Sequence, residues 1–416
     1  MLRSLFSGIS GLKAHQQMMD VVSNNIANVN TIGYKSSNVV FEDTLSQLMR
    51  ASASATVATG GLNPTQIGLG VELGAVQTNF LQGSTQITNK PTDLMIQNDG
   101  FFVLQSGNTQ VYSRAGAFNL DASGYLVNSD GNYAIGYAAT NGVVNSFGAL
   151  SKIQLPVGLT IPGSASTTMS VAGNASPTAL TVISTTGTVY DVNGAAQQLK
   201  IVLTPHEDDP TNPTARTDTG YDVSYIDAAG NDSGSMGTVM FDAAGNFDAT
   251  NSTIGTPATP LPVLLADGVT TVNVDLSGLT GYSGTSSPIV KSSSGYAAGI
   301  LSTFQVGPDG TVTGAFTNNQ KMSLGQLALA TFNNPNGLEK LGQSSYQASS
   351  NSGLAEVGVP GSGGRGTLIA GALEMSNVDL AAEFTNMIIA QRGFSANSKV
   401  ITTSDEMLQD LVNIKR

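Results

Sequence analysis

Apolar residues recur along the last stretch of the chain in alternating steps of three and four. The series is Leu373, Asn377, Leu380, Phe384, Met387, Gln391, Phe394, Ser398, Ile401, Asp405, Leu408 and Val412. Every second member (Leu373, Leu380, Met387, Phe394, Ile401, Leu408) is apolar, the signature of a heptad repeat. No proline interrupts the run and Gly393 is its only glycine. The spacing predicts one helix over 373–416, roughly 60 Å long at 1.5 Å per residue. The first stretch answers it. Leu2, Leu5, Ile9, Leu12, Met19 and Ile26 follow the same spacing, with Gln16 and Ser23 at the weaker positions. The two ends are therefore expected to pair as a coiled coil that encloses the rest of the chain. Gln16, Ser23, Gln391, Ser398 and Asp405 leave such a pair marginal alone, so other copies of the chain are the expected further partners.

Between the helices the pattern changes period. The first helix is expected to span 1–30, with Gly33 as its stop. Asparagines at 24, 25, 28 and 30 suit a helix interior poorly unless some of them bond across to a neighbouring helix or the helix frays there. Residues 31–79 read as a connector with little core of its own, in which VVFEDTLSQLMRASASA predicts a short helix. From 80 to 149 strand patterns dominate, and DLMIQNDGFFVLQ splits at Asp99-Gly100 like a hairpin. A matching block returns over 291–372, so these two blocks are expected to form one inner β domain. Residues 150–290 alternate strand-like runs with Gly, Pro, Asn and Asp turns and predict an inserted, outer all-β domain. The fold class is thus α+β, mostly β: a nested multi-domain rod with both termini at one end and the insertion farthest from them.

Composition narrows the function. Only 11% of the 416 residues are charged, against a usual ~25%, and there are 48 glycines. The net charge of −12 argues against nucleic acid and against an anionic membrane surface. Nine acidic residues fall between 200 and 250, which reads as a solvated, self-repelling surface. With no cysteine there is no disulfide scaffold, thiolate metal site or nucleophilic thiol. No apolar run reaches the ~18 residues of a membrane span, and the N-terminal stretch lacks a cleavable signal pattern. The expected location is either the cytoplasm or outside the cell by a route that needs no cleaved signal.

A search for chemistry finds no catalytic set. His15 reads as an exposed polar position on the first helix. His206 lies in a turn with Glu207, Asp208 and Asp209 that lacks both a second soft donor and a spaced calcium loop. Gly361-Ser-Gly363-Gly-Arg-Gly366 spells a nucleotide-binding fingerprint but follows Pro360 rather than a strand, so it reads as a flexible joint. The expectation is no enzyme activity, no metal and no cofactor.

Several segments resemble a known family. Ser23-Asn24-Asn25-Ile26-Ala27-Asn28, followed by Thr31-Ile32-Gly33-Tyr34-Lys35, looks like the signature of bacterial flagellar rod and hook axial proteins. DLMIQNDGFFVLQ and YSRAGAFNLDASGYLVNSDG resemble the β domain those proteins share, and SNVDLAAEFTNMIIAQRGFSANSKVITTSDEMLQDLVNIKR closely resembles the C-terminus of hook proteins. The resemblance covers roughly 1–45, 90–140 and 370–416; the acidic insertion carries no such motif. Distal rod proteins share both ends. They are expected to be shorter and to lack the insertion, which favours the hook type. A secreted oligomeric β-rich binding protein is the other alternative.

The resemblance implies a self-assembling, curved, hollow tube outside the cell that joins rod to filament and transmits motor torque as a universal joint. It implies terminal helices around the export channel and β domains outside them. The implied partners are further copies of the chain, the flagellar rod, hook cap and hook–filament junction proteins, and the flagellar type III export apparatus. The residues expected to carry assembly are Leu2, Leu5, Ile9, Leu12, Met19 and Ile26 against Leu380, Phe384, Met387, Phe394, Ile401 and Leu408. Phe41 and Leu45 resemble an export-gate motif, although a Phe and a Leu four apart also pack on any short helix.

Overall fold

The computed structural model describes residues 2–414 except 53, 55–59, 157, 178–180, 207–218 and 257–258. The Glu207–Asp209 turn lies outside the described residues. Two helices stand at the two ends of an otherwise β chain: α1, Leu2–Ala27, and α2, Leu380–Ile414. α2 starts later than its periodicity predicts. Leu373 belongs to a short strand, Ala372–Glu374, which pairs with Thr85–Ile87. The helix start is set by Asp379, whose Oδ1 accepts the backbone N–H groups of Ala381 (2.9 Å) and Ala382 (3.3 Å).

The chain divides into two compact units, one formed by Met1–Val157, Phe304–Gly314 and Met322–Arg416, the other by Gly158–Thr303 and Ala315–Lys321. In the first, Phe101–Ser106 pairs with Leu329–Thr331 and Tyr133–Thr140 with Lys321–Leu327, so early and late segments share one sheet. Two apolar clusters fill this unit, one around Leu94, Phe102, Phe118 and Leu327, the other around Phe101, Tyr112, Phe332 and Tyr346.

The expected hairpin at Asp99-Gly100 is not formed. Leu94–Gln97 pairs instead with Thr367–Ala370, while Phe101–Ser106 turns back at Gly107 onto Thr109–Ser113. The reason is burial. Leu94–Ile96 and Phe101–Leu104 are buried at every position, so each run needs its own cover and the two separate. The short helix expected in the connector is also not found among its described residues. Ser37–Asp43 and Val71–Thr78 form one antiparallel ribbon, and Ser46–Arg50 with Thr65–Gly68 a second.

The second unit carries two four-stranded sheets over a single core that includes Val171, Leu199, Ile201, Val223, Val263 and Val274. Its strands alternate cleanly, as in Thr271–Thr280, where Val272, Val274 and Leu276 are buried and their neighbours are not. Much of the acidity here has a local use. Asp191, Asp227 and Asp242 each open an Asp-x-x-Gly turn, and their Oδ1 atoms accept the N–H of the residue four ahead at 2.8, 2.8 and 2.7 Å. The Asn231 side-chain amide, and then its backbone N–H, hold the Asp227 carboxyl below its usual pKa, and the backbone and side-chain bonds of Asn246 do the same for Asp242. The acidic stretch is therefore partly turn chemistry rather than only a solvated, self-repelling face.

Candidate assembly site

α1 and α2 run antiparallel along each other, and the contacts keep one register. Ser4 Oγ meets Ser404 Oγ at 3.5 Å. A methyl group added to Gly8 would lie 3.3 Å from Ile401 Cγ1, one on Gly11 2.8 Å from Asn397 Nδ2, and one on Gly393 2.5 Å from the His15 ring. Asn25 Nδ2 donates to Glu383 Oε1 at 3.2 Å. Small residues thus set the approach of the two backbones. This corrects the expected intrachain seam. The buried positions of α1 are Gly8, Gly11, Ala14, Val22 and Asn25, and those of α2 are Glu383, Ala390 and Ser404.

The apolar stripe of α1 lies one residue later, about 100° around the helix. Ile9 is 46% exposed, and Leu5, Leu12, Met19 and Ile26 are half-buried. The Leu2 side chain lies outside the described residues. On α2, Met387, Phe394, Ile401 and Leu408 flank the seam half-buried, while Leu380 and Phe384 are 40% and 51% exposed. His15 is not the exposed position expected. It packs over Gly393 with its ring 6.1 Å from that of Phe41, edge to face. Phe41 therefore serves as packing on α1 from a strand, whereas Leu45 is 83% exposed.

A polar junction ties the foot of the helix pair to the β part of the same unit. Asn25 is fully buried and saturated. Its Nδ2 also donates to Ser37 O (2.8 Å), and its Oδ1 accepts Ser37 N–H (3.0 Å) and Tyr34 O–H (3.1 Å). This is the cross-helix asparagine that the composition of α1 called for. Gly33, at φ +67°, passes so close to Ala115 that a side chain would sit 2.5 Å from its backbone nitrogen. Ser36 N–H donates to Asn377 Oδ1 at 2.8 Å, and Asn377 Nδ2 donates to Asn79 O at 2.8 Å.

Beneath these lies a charged cluster that sequence reasoning missed. Lys35 Nζ donates to Glu374 Oε1 at 2.6 Å and to Leu81 O at 2.8 Å, with both charged side chains 0% exposed. Arg114, 2% exposed, brings NH1 within 3.6 Å of Glu374 Oε2. Burial pulls the Lys35 and Arg114 pKa values below their usual ranges despite the shared carboxylate. The only signal was Lys35 itself, a lysine closing the signature in a chain poor in charge. Glu374 was hidden inside a presumed helix.

Glu383 is buried at the top of this junction. Burial raises its pKa above the usual carboxylate value, and the Asn25 bond only partly offsets that. Its Oε2 has no partner among the described residues. The folded state therefore favours the protonated form, so the stability Glu383 contributes is greatest below its unfolded pKa and is lost as pH rises through the folded one. Glu383→Gln is expected to raise the unfolding midpoint at pH 7 and to leave it nearly unchanged near pH 4. A larger loss at pH 7 than at pH 4 would mean instead that the carboxylate is supported in its charged form.

Four segments match flagellar families. Residues 5–35 match the flagella basal body rod protein family and 95–191 the flagellar hook protein FlgE/F/G D1 domain. Residues 162–296 match the flagellar basal body protein FlaE D2 domain, and 369–414 the flagellar basal body rod FlgEFG protein C-terminal region. These place the molecule among the axial proteins of the bacterial flagellum. Flagellar hook protein FlgE of Treponema pallidum is 36% identical, and that of Borreliella burgdorferi 34%, each over the full length of both chains. Flagellar basal-body rod protein FlgG of Bacillus subtilis is 31% identical, also over the full length of both. The chain belongs to the flagellar hook protein FlgE family and is a structural subunit of the hook. The rod relative spans the whole chain, so length and the presence of an insertion do not separate hook from rod as expected above.

Proposed function

We propose that this subunit builds the tube through the apolar side chains that its own helix pair leaves uncovered. The observation that carries this reading is their number. Phe6, Ile9, Leu380, Phe384, Ile388, Ile389, Val400, Met407, Leu411 and Val412 are each at least 40% exposed on two helices already paired with each other. A helix pair that leaves this much apolar surface in water needs further helices, and neighbouring copies supply them. No helix among the described residues is long and apolar enough to cross a membrane.

In this reading the helices line the bore of a curved, hollow tube, and the β units face outward. The small-polar second unit carries little hydrophobic locking energy, which suits outer faces that slide as the tube bends and turns. The family polymerises within a flagellum external to the cell. The proposed partners beyond the chain itself are rod, cap and junction proteins, with delivery through the flagellar type III export apparatus without a cleaved signal. The role is mechanical and needs no catalysis. Electron microscopy of the concentrated full-length protein tests it: ordered hollow tubes are expected, and a chain that stays monomeric under every condition would overturn the reading.

A further inference from the structure

Among the described residues, Phe147 is the most exposed large apolar side chain, at 99%. It is not on a loose loop. Its N–H donates to Asn145 Oδ1 at 3.1 Å, and Gly148 N–H donates to Asn145 O at 3.0 Å. The turn follows Val143–Val144, which pairs with Ala139–Thr140. A fixed turn therefore presents a whole phenyl ring to water, with Val143 beside it 71% exposed.

The same compact unit holds a cavity of matching chemistry. It has a volume of about 250 Å³ and is walled by Phe80, Phe101, Phe332 and Pro335, with Arg114 at its base and Asp99 at its mouth. The Phe80 and Phe332 rings stand 5.6 and 5.8 Å from that of Phe101, both edge to face. The Arg114 guanidinium lies 5.3 Å from the Phe101 ring, and its buried Nε has no hydrogen-bond partner among the described residues. An apolar cavity of roughly 150 Å³ can hold a benzene ring, so this one has room for a phenyl group.

We propose that Phe147 of one copy enters the Phe80–Phe101–Phe332 cavity of a second copy. Phe147 of the same chain is free in solvent, so it does not fill its own cavity. Knob and hole are different surfaces of one chain, which makes the contact head-to-tail; repeated, it propagates along a polymer rather than closing a pair. The incoming ring joins an edge-to-face aromatic cluster and gains the field of the Arg114 cation. Residues 141–150 carry no charge, so entry past Asp99 strands none. One phenyl group buries only about 150–250 Å², far below the ~1,200–2,000 Å² of a stable interface. The contact therefore does not dimerise the free chain and acts only beside the helix contacts, so it rests on the self-assembly reading above.

The chain has no cysteine, which makes cross-linking clean. Asn333 also lines the cavity, so Phe147→Cys and Asn333→Cys copies are doped together, as a minority, into wild-type tubes and treated with a short bis-maleimide. A cross-linked dimer joining positions 147 and 333 is expected, and none when either variant is doped alone. In parallel, Phe147→Ser is expected to raise the concentration needed for tubes about tenfold, while Phe147→Leu leaves it nearly unchanged. Tubes without the 147–333 link, or Phe147→Ser assembling at the wild-type concentration, overturn this contact and leave self-assembly standing. A wild-type chain that never forms tubes removes both.

Discussion

Glu374→Gln is expected to destabilise the first compact unit by about 3–5 kcal/mol, the usual cost of removing one partner from a buried ion pair. The arithmetic of charge is the reason. Lys35, Arg114 and Glu374 are all at most 2% exposed, and one carboxylate faces two cations. Glutamine keeps the size and can accept the Lys35 bond, but it leaves both cations without a buried counter-charge. Asp99 does not replace it, since it lies 4.0 Å from Arg114 and is 91% exposed. Gly33 N–H would keep its 2.8 Å bond to the Glu374 backbone carbonyl, so the backbone path is unchanged. Denaturant unfolding followed by tyrosine fluorescence and circular dichroism checks this. The transition of the first unit should move and that of the second should not. The triple variant Lys35→Met, Arg114→Met, Glu374→Leu should recover part of the loss, because it removes the uncompensated charge. A shift below about 1 kcal/mol for Glu374→Gln would mean that water or a neighbouring group already solvates the cluster.

The second large effect concerns assembly. Phe384→Asp combined with Ile388→Asp is expected to abolish tube formation while leaving the unfolding midpoint of the monomer nearly unchanged. The two side chains lie four residues apart on α2, on one face, and are 51% and 53% exposed. Exposed substitutions typically move stability by no more than about 0.5 kcal/mol. In the polymer each side chain is worth roughly 1.5–3 kcal/mol if buried, and a carboxylate in its place must be desolvated as well. Phe394 is a poorer choice. It is half-buried at the edge of the intrachain seam, so its replacement would mix folding with assembly. Tubes forming from the double variant at the wild-type concentration would show that this face of α2 stays in solvent.

The two helices were legible because a heptad sustained for 26 and 35 residues leaves few other readings. Their contact face was not. Periodicity locates the apolar side chains, whereas the backbones approach where side chains are smallest, at Gly8, Gly11 and Gly393. The reading was therefore off by one residue on α1, and the stripe it found became the candidate for contacts between copies. Asn25 was legible in kind, since an asparagine within a helix calls for a partner. Its partner Glu383 was not, being 358 residues away. The Asp99-Gly100 turn failed for a different cause: local turn chemistry was outweighed by two strands that both demanded burial. Lys35, Arg114 and Glu374 carry no common pattern in the sequence, and only the fold brings them together.

The Lys35–Glu374 link spans 339 residues of chain, and its acid lies near the end of the sequence. A chain broken off anywhere between Arg114 and Glu374 keeps both cations and loses the one carboxylate that neutralises them. Such a fragment carries its fault as stranded charge in its own interior. The interior of the first compact unit is thus electrically balanced only when residues from both ends of the chain are present together.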